Sequence, residues 1–568
     1  MNAPTPALVA RPERLRLVGQ RRQTLAVMHQ RLMFGMLLFA GIIAVIVLRL
    51  FYLAAFGDHA GRKTLVTALV PPRGDIVDRN GQPLARTIDA WTVALQPGKV
   101  IGDKLDLARR LAALMPEHDE AGWLQLLRSN KSFIYLRRRA APSLVEQINA
   151  LGEPGLALSR EPDRLYPQTD LAAHVLGFTN IDGHGAAGME RAFDQRLVDP
   201  ATRGEPLVLS ISNGVQQALE HGLLDAKNTF AALGAAGVVL DIRTGEVLAL
   251  ASLPQLNPNI AGNSDPDARF NRATQGVWEL GSTFKPFTVA MAFDTGKVRS
   301  MGQTYSCPVA LRAYGRTITD THPFGRNCSV AEIMMESSNI GTAQIAAQVG
   351  AADQKRFLKA MGFLDPIAVE LKERGRALYP REWTPLDVMT VGFGHSIAVT
   401  PLHLATGYAT LFNGGVYHPA TLLKVGPNHP VGAARRVFSE DTSYKMRSLL
   451  RLVVTKGTGK KADAPGYRVG GKTGTAEKII NGRYSKNGLN VTSFAGVFPM
   501  DQPRYAMVVM LDEPRATAET FGFKTAGWNA APTFGKIVAR IAPMLGVRPD
   551  LKREPNMAEV LPFVHEKK

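Results

Sequence analysis

The sequence predicts a membrane-anchored α+β protein in which a pedestal domain precedes a larger domain, an antiparallel sheet flanked by helices. Two observations lead to this prediction. A charge-free run over residues 32–48 follows a segment rich in arginine. Further along, two apolar strands precede a long helical block and three strands follow it, which favours α+β over a doubly wound sheet.

The composition is that of a globular protein with a strong positive charge. The 568 residues are 45% hydrophobic and 20% charged, with a net charge of +18, and the length predicts two to four domains. No basic stripe is interleaved with aromatic residues, and no Cys/His group has the spacing of a zinc site. We therefore predict no nucleic-acid partner, no metal and no cofactor; the charge suits an anionic membrane or cell-wall polymer.

Residues 1–31 are predicted to be cytoplasmic and residues 32–56 a single transmembrane anchor. The first segment contains six arginines and one acidic residue, Glu13. The apolar run continues past Arg49, so it is long enough to span a bilayer and longer than the core of a cleaved signal peptide. Because arginine collects on the cytoplasmic side, the bulk of the chain is expected in the periplasm, anchored in the inner membrane. The alternative, a buried core helix, does not explain the arginine-rich flank.

Residues 57–205 are predicted to form the pedestal, a mixed α+β domain without catalytic residues. The Asn80-Gly81 pair marks a hairpin turn. A helix is expected over residues 105–115 and a strand over residues 133–139. A second helix is expected over residues 143–151, with Ser143 as its N-cap.

Residues 206–545 are predicted to form the larger domain, and residues 546–568 a polar tail that is loosely held beyond residue 551. The domain opens with a helix over 215–224 and two strands, 236–240 and 247–252, joined by a turn. The later elements are a helix over 342–349, strands over 469–476, 493–499 and 505–512, and a helix over 530–545.

Three short motifs in the larger domain contain residues suited to nucleophilic catalysis. Ser282 and Lys285 lie one turn apart at a predicted helix start, so the amine can reach the hydroxyl. A lysine takes that proton only when burial or a second cation lowers its pKa. The helix N-terminus adds N–H donors that suit an oxyanion. The other motifs are Ser337-Ser338-Asn339 and Lys472-Thr473-Gly474-Thr475.

In this order, over about 200 residues, the motifs resemble the signature of penicillin-recognising serine acyltransferases. From the anchor to residue 545 the chain resembles the class B penicillin-binding proteins, membrane-anchored D,D-transpeptidases that cross-link peptidoglycan. Residues 73–81, 177–190 and 392–401 favour the septal, division-specific type over the elongation-specific one. The chain has no room for the glycosyltransferase domain of class A members.

The resemblance implies a role for each residue of the first two motifs. Ser282 attacks the D-Ala–D-Ala carbonyl of a stem peptide and forms an acyl-enzyme, with Lys285 as the base. Backbone N–H groups of Ser282 and Thr475 form the oxyanion hole. Ser337 relays a proton to the leaving amine, or only caps the helix of Asn339. Asn339 accepts from Lys285 and donates to a substrate carbonyl, or is a plain turn residue.

The third motif is expected to bind the terminal carboxylate of the substrate. Lys472 presents a fixed positive charge to it and helps to keep Lys285 neutral. Thr473 and Thr475 offer hydroxyls to the same carboxylate. Gly474 lets the substrate backbone lie close to the strand.

Other functions are weighed against these residues. A serine β-lactamase needs a positioned base for water, and none is evident. A D,D-carboxypeptidase is separated from a transpeptidase only by its products. Three intact motifs argue against a non-catalytic scaffold or an antibiotic sensor. His395 is interpreted as a loop histidine, and Glu477 as a charge at the rim of the site.

The resemblance also implies the partners: peptidoglycan stem peptides, strands derived from lipid II, β-lactam antibiotics, a septal polymerase of the FtsW type and other divisome proteins. One covalent feature follows from the predicted topology instead. Cys307 and Cys328 are the only cysteines, and both lie outside the cytoplasm, where disulfides persist. We therefore predict a disulfide between them.

Overall fold

A computed structural model describes residues 13–56, 73–480, 483–485 and 488–565. The chain divides into two compact units, Met1–Leu69 and Val70–Lys568. The start of the predicted cytoplasmic segment (residues 1–12), the start of the pedestal (57–72) and the last three residues of the tail lie outside the described residues.

In the first unit, residues 13–56 are described, and they form one long helix, α1 (Glu13–Phe56). Its segment Gln30–Leu50 is long and apolar enough to cross a membrane, and the described side chains of this segment are exposed. A helix satisfies its own backbone hydrogen bonds, which is the condition for crossing a lipid bilayer. This is compatible with the predicted anchor, although the helix begins well upstream of residue 32.

The second unit begins with a small α+β domain around a five-stranded sheet. Its elements are β1 (Ile76–Val77), β2 (Pro83–Leu95), α2 (Lys104–Leu114), α3 (Glu120–Leu127), β3 (Ile134–Ala140), α4 (Pro142–Asn149), β4 (Leu156–Leu165), α5 (Ala173–Leu176), α6 (Gly188–Ala192), α7 (Asp194–Val198) and β5 (Leu207–Val208). Strand β2 pairs antiparallel with β1, β3 and β4, and β1 pairs in parallel with β5. The predicted turn joins β1 to β2: Gly81 has φ 83°, and Asp78 Oδ1 accepts from the N–H of Asn80.

The predicted helix at 105–115 and strand at 133–139 are confirmed as α2 and β3, but Ser143 as an N-cap is wrong. Helix α4 begins one residue earlier, at Pro142, and its N-cap Ala141 forms no side-chain hydrogen bond. Proline at the first helical position has no N–H to satisfy and already has a helical φ, so it starts the helix without a capping side chain.

A buried ion cluster ties together the stretches 73–81 and 177–190. The Nε atoms of Arg73 and Arg164 donate to the two carboxylate oxygens of Glu190, at 2.5 and 2.7 Å. Arg73 also donates to Asp194 at 2.6 Å. Because all members except Asp194 are buried, removing one partner would leave an uncompensated charge. These stretches therefore hold the pedestal together.

The larger part of the second unit surrounds a second five-stranded sheet. Its elements up to residue 360 are α8 (Asn213–Thr229), β6 (Gly234–Asp241), β7 (Val247–Leu253), α9 (Pro266–Arg269), α10 (Lys285–Asp294), β8 (Thr304–Cys307), β9 (Ala310–Ala313), β10 (Arg316–Thr319), β11 (Arg326–Ser329), α11 (Val330–Glu336) and α12 (Asn339–Ala360). The later ones are α13 (Pro385–Gly392), α14 (Pro401–Phe412), β12 (Val416–Tyr417), β13 (Arg435–Arg436), α15 (Glu440–Thr455), β14 (Gly470–Glu477), β15 (Ile479–Ile480), β16 (Arg483–Tyr484), β17 (Asn490–Phe498), β18 (Tyr505–Asp512) and α16 (Ala530–Met544).

The strands of this sheet follow the order β14-β17-β18-β6-β7, and every pair is antiparallel. Helices α8 and α16 pack on one face, and α14 and α15 on the other. Val238 and Leu240 of β6 lie in one core, and Ala235 and Val239 in the other. Strands buried on both faces appear as continuous apolar runs, and the predicted α+β architecture is confirmed.

A small β structure between α10 and α11 contains the predicted disulfide. Strands β8 and β11 pair, and the hairpin β9–β10 extends from them. Cys307 and Cys328 are bonded across this base, with their Cα atoms 6.0 Å apart. Closing this loop restricts the conformations of the unfolded chain. In the chain-entropy model this stabilises the folded state by roughly 3 kcal/mol.

The prediction that the tail is loosely held is wrong for residues 551–565. Val560 is fully buried, and the carbonyl of Phe563 accepts a 2.6 Å hydrogen bond from Ser329 Oγ. Glu554 pairs with the buried Arg451 at 2.8 Å. A few apolar contacts and several ion pairs, among them Arg553 with Asp501 at 3.0 Å, hold a segment whose composition is largely polar.

Candidate active site

The three motifs meet at the N-terminus of α10. Ser282 lies in a 3-10 turn (Gly281–Phe284), and Lys285 follows as the first residue of α10. Lys285 Nζ donates to the backbone carbonyl of Ser337 and, at 3.0 Å, to its Oγ. The positive charge of Lys472 lowers the pKa of Lys285, so the two amines are close enough to interact. The tertiary structure therefore groups residues separated by nearly 200 positions in the sequence.

The turn that carries Ser282 is held from both sides. Gly281 has φ 54°, in the left-handed region, and a Cβ at this position would lie 2.9 Å from the carbonyl oxygen of Thr475. On the other side, the buried Tyr408 donates to the carbonyl of Thr283 at 3.0 Å. Glycine is required here because the backbone is left-handed and approaches β14 closely.

Ser282 and Lys285 are neighbours as predicted, but their side chains form no hydrogen bond in the described part of the chain. Lys285 is fully buried. Burial lowers its pKa far below the usual range, the charge of Lys472 lowers it further, and Asp320 acts in the opposite direction. A neutral amine is the state that a general base requires. Its present hydrogen-bond partner is Ser337.

The alternative interpretation of Ser337, as the cap of the helix of Asn339, is wrong. Ser337 ends α11 in a left-handed conformation with φ 65°, whereas Ser338 is the N-cap of α12 and accepts from the N–H of Gly341 at 2.9 Å. Asp320 accepts from Ser338 Oγ at 2.6 Å and from the N–H of Asn339 at 2.5 Å. No local pattern in the sequence indicates Asp320, because it reaches the motif from the segment after the β9–β10 hairpin.

Asn339 does not take the position expected for it. Its side-chain amide donates to the carbonyl of Thr319 at 3.0 Å, and among the described residues it forms no hydrogen bond with Lys285. The lysine instead uses both oxygens of Ser337. Asn339 is half-exposed.

Lys472 is on β14, the edge strand of the sheet. It is fully buried, and Nζ donates to the carbonyl of Thr473 at 3.2 Å and approaches Thr458 Oγ1 at 3.5 Å. The hydroxyls of Thr458 and Thr473 are 2.9 Å apart. Burial lowers the pKa of Lys472 to about 7, so the charge of its amine depends on pH and is not fixed. A bound carboxylate would raise this pKa and hold the proton on the amine.

The closest neighbours of Gly474 include residues on either side of Ser282. A Cβ on Gly474 would lie 2.3 Å from the carbonyl oxygen of Leu280 and 2.8 Å from Thr283 Cγ2. The missing side chain therefore lets β14 lie against the turn that carries Ser282. This close approach sets the distance between the serine and the next residue of the strand, Thr475.

Thr475 directs its backbone toward the Ser282 turn. The N–H of Lys478 donates to Leu489, on the side of β17, and backbone groups alternate in direction along a strand. The N–H of Thr475 therefore points away from β17, to the side on which its carbonyl lies near Gly281. Its hydroxyl accepts from the N–H of Ala526 at 3.0 Å, so the hydroxyl proton can be donated.

One further group borders the site. Glu279 accepts from Tyr484 Oη at 3.0 Å and from the N–H of Ser396 at 2.7 Å. This carboxylate connects the 392–401 stretch to the segment that leads to Ser282.

His395 lies in that stretch, and burial, followed by the charge of Lys285, lowers its pKa. Glu477 is exposed, as expected for a rim charge.

Comparisons with known proteins agree with this geometry. The model of the penicillin-binding protein transpeptidase domain matches residues 235–539, and that of the penicillin-binding protein dimerisation domain matches residues 68–198. The chain is 40% identical over 493 residues to the probable peptidoglycan D,D-transpeptidase FtsI of Caulobacter vibrioides, covering 84% of this chain and 82% of that protein. It is 31% identical to the peptidoglycan D,D-transpeptidase FtsI of Escherichia coli K12, covering 86% of each.

Among solved structures, penicillin-binding protein 3 of Mycobacterium tuberculosis in complex with aztreonam is similar. The TM-score is 0.67 at 26% identity, and the match covers 84% of this chain and 97% of that one. The two domain models match the pedestal and the domain that contains the three motifs. The chain therefore belongs to the penicillin-binding protein family, with a transpeptidase domain preceded by a dimerisation domain.

Proposed function

We propose that this protein is a serine D,D-transpeptidase that cross-links peptidoglycan stem peptides during septal wall synthesis in cell division. The observation that carries the proposal is the fully buried Lys285, which lies beside the turn of Ser282 and donates to Ser337. An amine with a depressed pKa next to a serine is the arrangement that nucleophilic catalysis by serine requires.

Acylation follows from these positions. Lys285 takes the proton of Ser282 while Oγ attacks the carbonyl between the two D-alanines. The oxyanion receives hydrogen bonds from the backbone N–H groups of Ser282 and Thr475. As the peptide bond breaks, the proton passes through Ser337 to the amine of the departing D-alanine. An amine of a second stem peptide then attacks the ester, forms the cross-link and restores the serine.

Lys472, Thr473 and Thr475 recognise the terminal carboxylate of the donor peptide. Because the pKa of Lys472 is about 7 in the free protein, carboxylate binding is coupled to proton uptake near neutral pH. A charged Lys472 in turn opposes protonation of Lys285. Binding the donor therefore keeps the base in its reactive form. Asn339, half-exposed, orients a substrate amide.

The location and partners are part of the same proposal. Residues 1–31 are cytoplasmic, 32–56 cross the inner membrane, 57–205 form the pedestal and 206–545 form the catalytic domain in the periplasm, followed by the tail. The partners are lipid II-derived strands, a septal polymerase of the FtsW type, other divisome proteins and β-lactam antibiotics. The exposed apolar helix and the domain matches support this arrangement.

The test is mass spectrometry of the full chain after reaction with benzylpenicillin. We expect one adduct, mapped to Ser282, and none in Ser282→Ala. Ser338→Ala is the matched control, because it removes a neighbouring hydroxyl and should still acylate at Ser282. An adduct at another residue, or labelling of Ser282→Ala, would contradict the assignment. Product analysis with stem-peptide substrates then separates cross-linking from trimming by a carboxypeptidase.

A further inference from the structure

A cavity of about 750 Å³ lies outside the site described above. Its walls come from the turn after β6, the end of α14 and the first two turns of α15. None of its lining residues belongs to the three motifs. Its size is in the range of sites for small molecules or for the side chains of a bound peptide.

Two side chains that line this cavity each have a buried nitrogen without a hydrogen-bond partner. Arg447 Nε and His418 Nδ1 are buried, and each has no hydrogen-bond partner. Burial lowers the pKa of both side chains, as expected for groups that have lost water. Arg243 lies at the same wall. In the ranges that the structure describes, neither Arg243 nor Arg447 forms an ion pair.

The two acidic residues of the lining are already engaged and lie at the mouth. Glu440 is exposed and pairs with Arg436 at 3.3 Å. Asp441 is exposed and pairs with Lys445 at 2.6 Å. Arg447 is half-buried, and the charge of Asp501 acts on it, but Asp501 is already paired with Arg468 at 2.6 Å and with Arg553 at 3.0 Å. Positive charge therefore exceeds negative charge around Arg447, which favours an anion over a cation.

We propose that this cavity binds a ligand bearing a carboxylate or a phosphate group. Arg447 and Arg243 pair with the oxyanion, since a guanidinium donates two parallel hydrogen bonds to such a group. His418 adds a donor through Nδ1. The ligand is either a free small anion or the acidic group of a peptide, and both present the same chemistry to the cavity.

The experiment is a thermal unfolding titration of the full chain in detergent, with inorganic phosphate and succinate as probes. Ionic strength is held constant with sodium chloride. Wild type is compared with Arg447→Gln, and Arg540→Gln serves as the matched control, because Arg540 is an exposed arginine on α16 outside the cavity. General salt effects and any binding at the catalytic lysines shift the unfolding midpoint of both proteins equally. They therefore cancel when the shift in Arg447→Gln is subtracted from the shift in wild type.

We expect a saturable rise of the unfolding midpoint with at least one probe, in wild type and in Arg540→Gln. In Arg447→Gln the affinity should fall at least about tenfold, the lower end for loss of a charge-assisted hydrogen bond. Arg447→Lys should restore part of it. Identical titrations of wild type and Arg447→Gln with both probes would overturn the proposal. If Arg447→Gln does not fold, Arg243→Gln replaces it, with the same expectation and the same refuting result.

Discussion

Gly474→Ala tests whether the contact between β14 and the Ser282 turn controls catalysis. The added Cβ would lie 2.3 Å from the carbonyl oxygen of Leu280, and real Cβ atoms do not approach other atoms within 3.0 Å. The strand and the turn must therefore separate by at least 0.7 Å. Because Thr475 is the next residue of the strand, this opening moves its N–H away from Ser282 Oγ.

A displacement approaching 1 Å costs about 100-fold in rate, and overpacking of this kind costs about 1–3 kcal/mol of stability. We expect the second-order acylation rate with a fluorescent penicillin to fall by about 100-fold. The rate is measured well below the unfolding midpoint of the variant, so that the folded protein alone is compared.

The matched control is Gly426→Ala, because nothing lies within 4 Å of a Cβ at that position. It should acylate at the wild-type rate. A Gly474→Ala protein that is folded and acylates as fast as wild type would refute the reasoning. The spacing of β14 from the turn would then not limit the oxyanion hole.

Three further predictions concern the buried lysines and the tail. Lys285→Arg should lose at least about 100-fold in acylation rate, because a guanidinium does not accept the proton, whereas Lys472→Arg should keep a measurable rate; equal rates would contradict the role of Lys285 as the base. Since burial lowers the pKa of Lys472 from 10.5 to about 7, the unfolded state binds more protons between these values and stability rises with pH there. Lys472→Met should therefore stabilise the fold more at about pH 6 than at about pH 10 in denaturant titrations, and an equal effect at both would contradict this sign. Removing residues 551–568 leaves Arg451 without Glu554 and exposes the apolar surface that Val560 covers. The free energy of unfolding, measured in urea, should therefore fall by about 2–4 kcal/mol; an unchanged midpoint would show that the tail contributes nothing.

The sheet of the catalytic domain could be predicted from the sequence because its strands are buried on both faces. The apolar run at 505–512 has the bounds of β18, and the run at 236–240 corresponds to β6, which extends further at both ends. The grouping of Ser282, Lys285 and Lys472 followed from the resemblance of their motifs. The disulfide followed from having two cysteines on one side of the predicted membrane.

Several features could not be predicted because they depend on contacts between distant segments. Asn339 donates to Thr319 rather than meeting Lys285, since the β9–β10 hairpin supplies a nearer acceptor. Asp320 holds the second motif without any local signal. The tail appears polar in sequence, but isolated apolar residues such as Val560 are fully buried in the core.

By itself, the sequence determined the apolar N-terminal helix, the order of strands and helices along the chain, and the residue types that chemistry requires. These depend on local hydrophobicity, local periodicity and short motifs. Only the tertiary structure decided that Gly474 lies against the Ser282 turn, and that burial lowers the pKa of Lys472 to about 7. Steric contact and desolvation depend on which groups surround an atom. Those groups come from segments far apart in the chain, and no window of the sequence contains them.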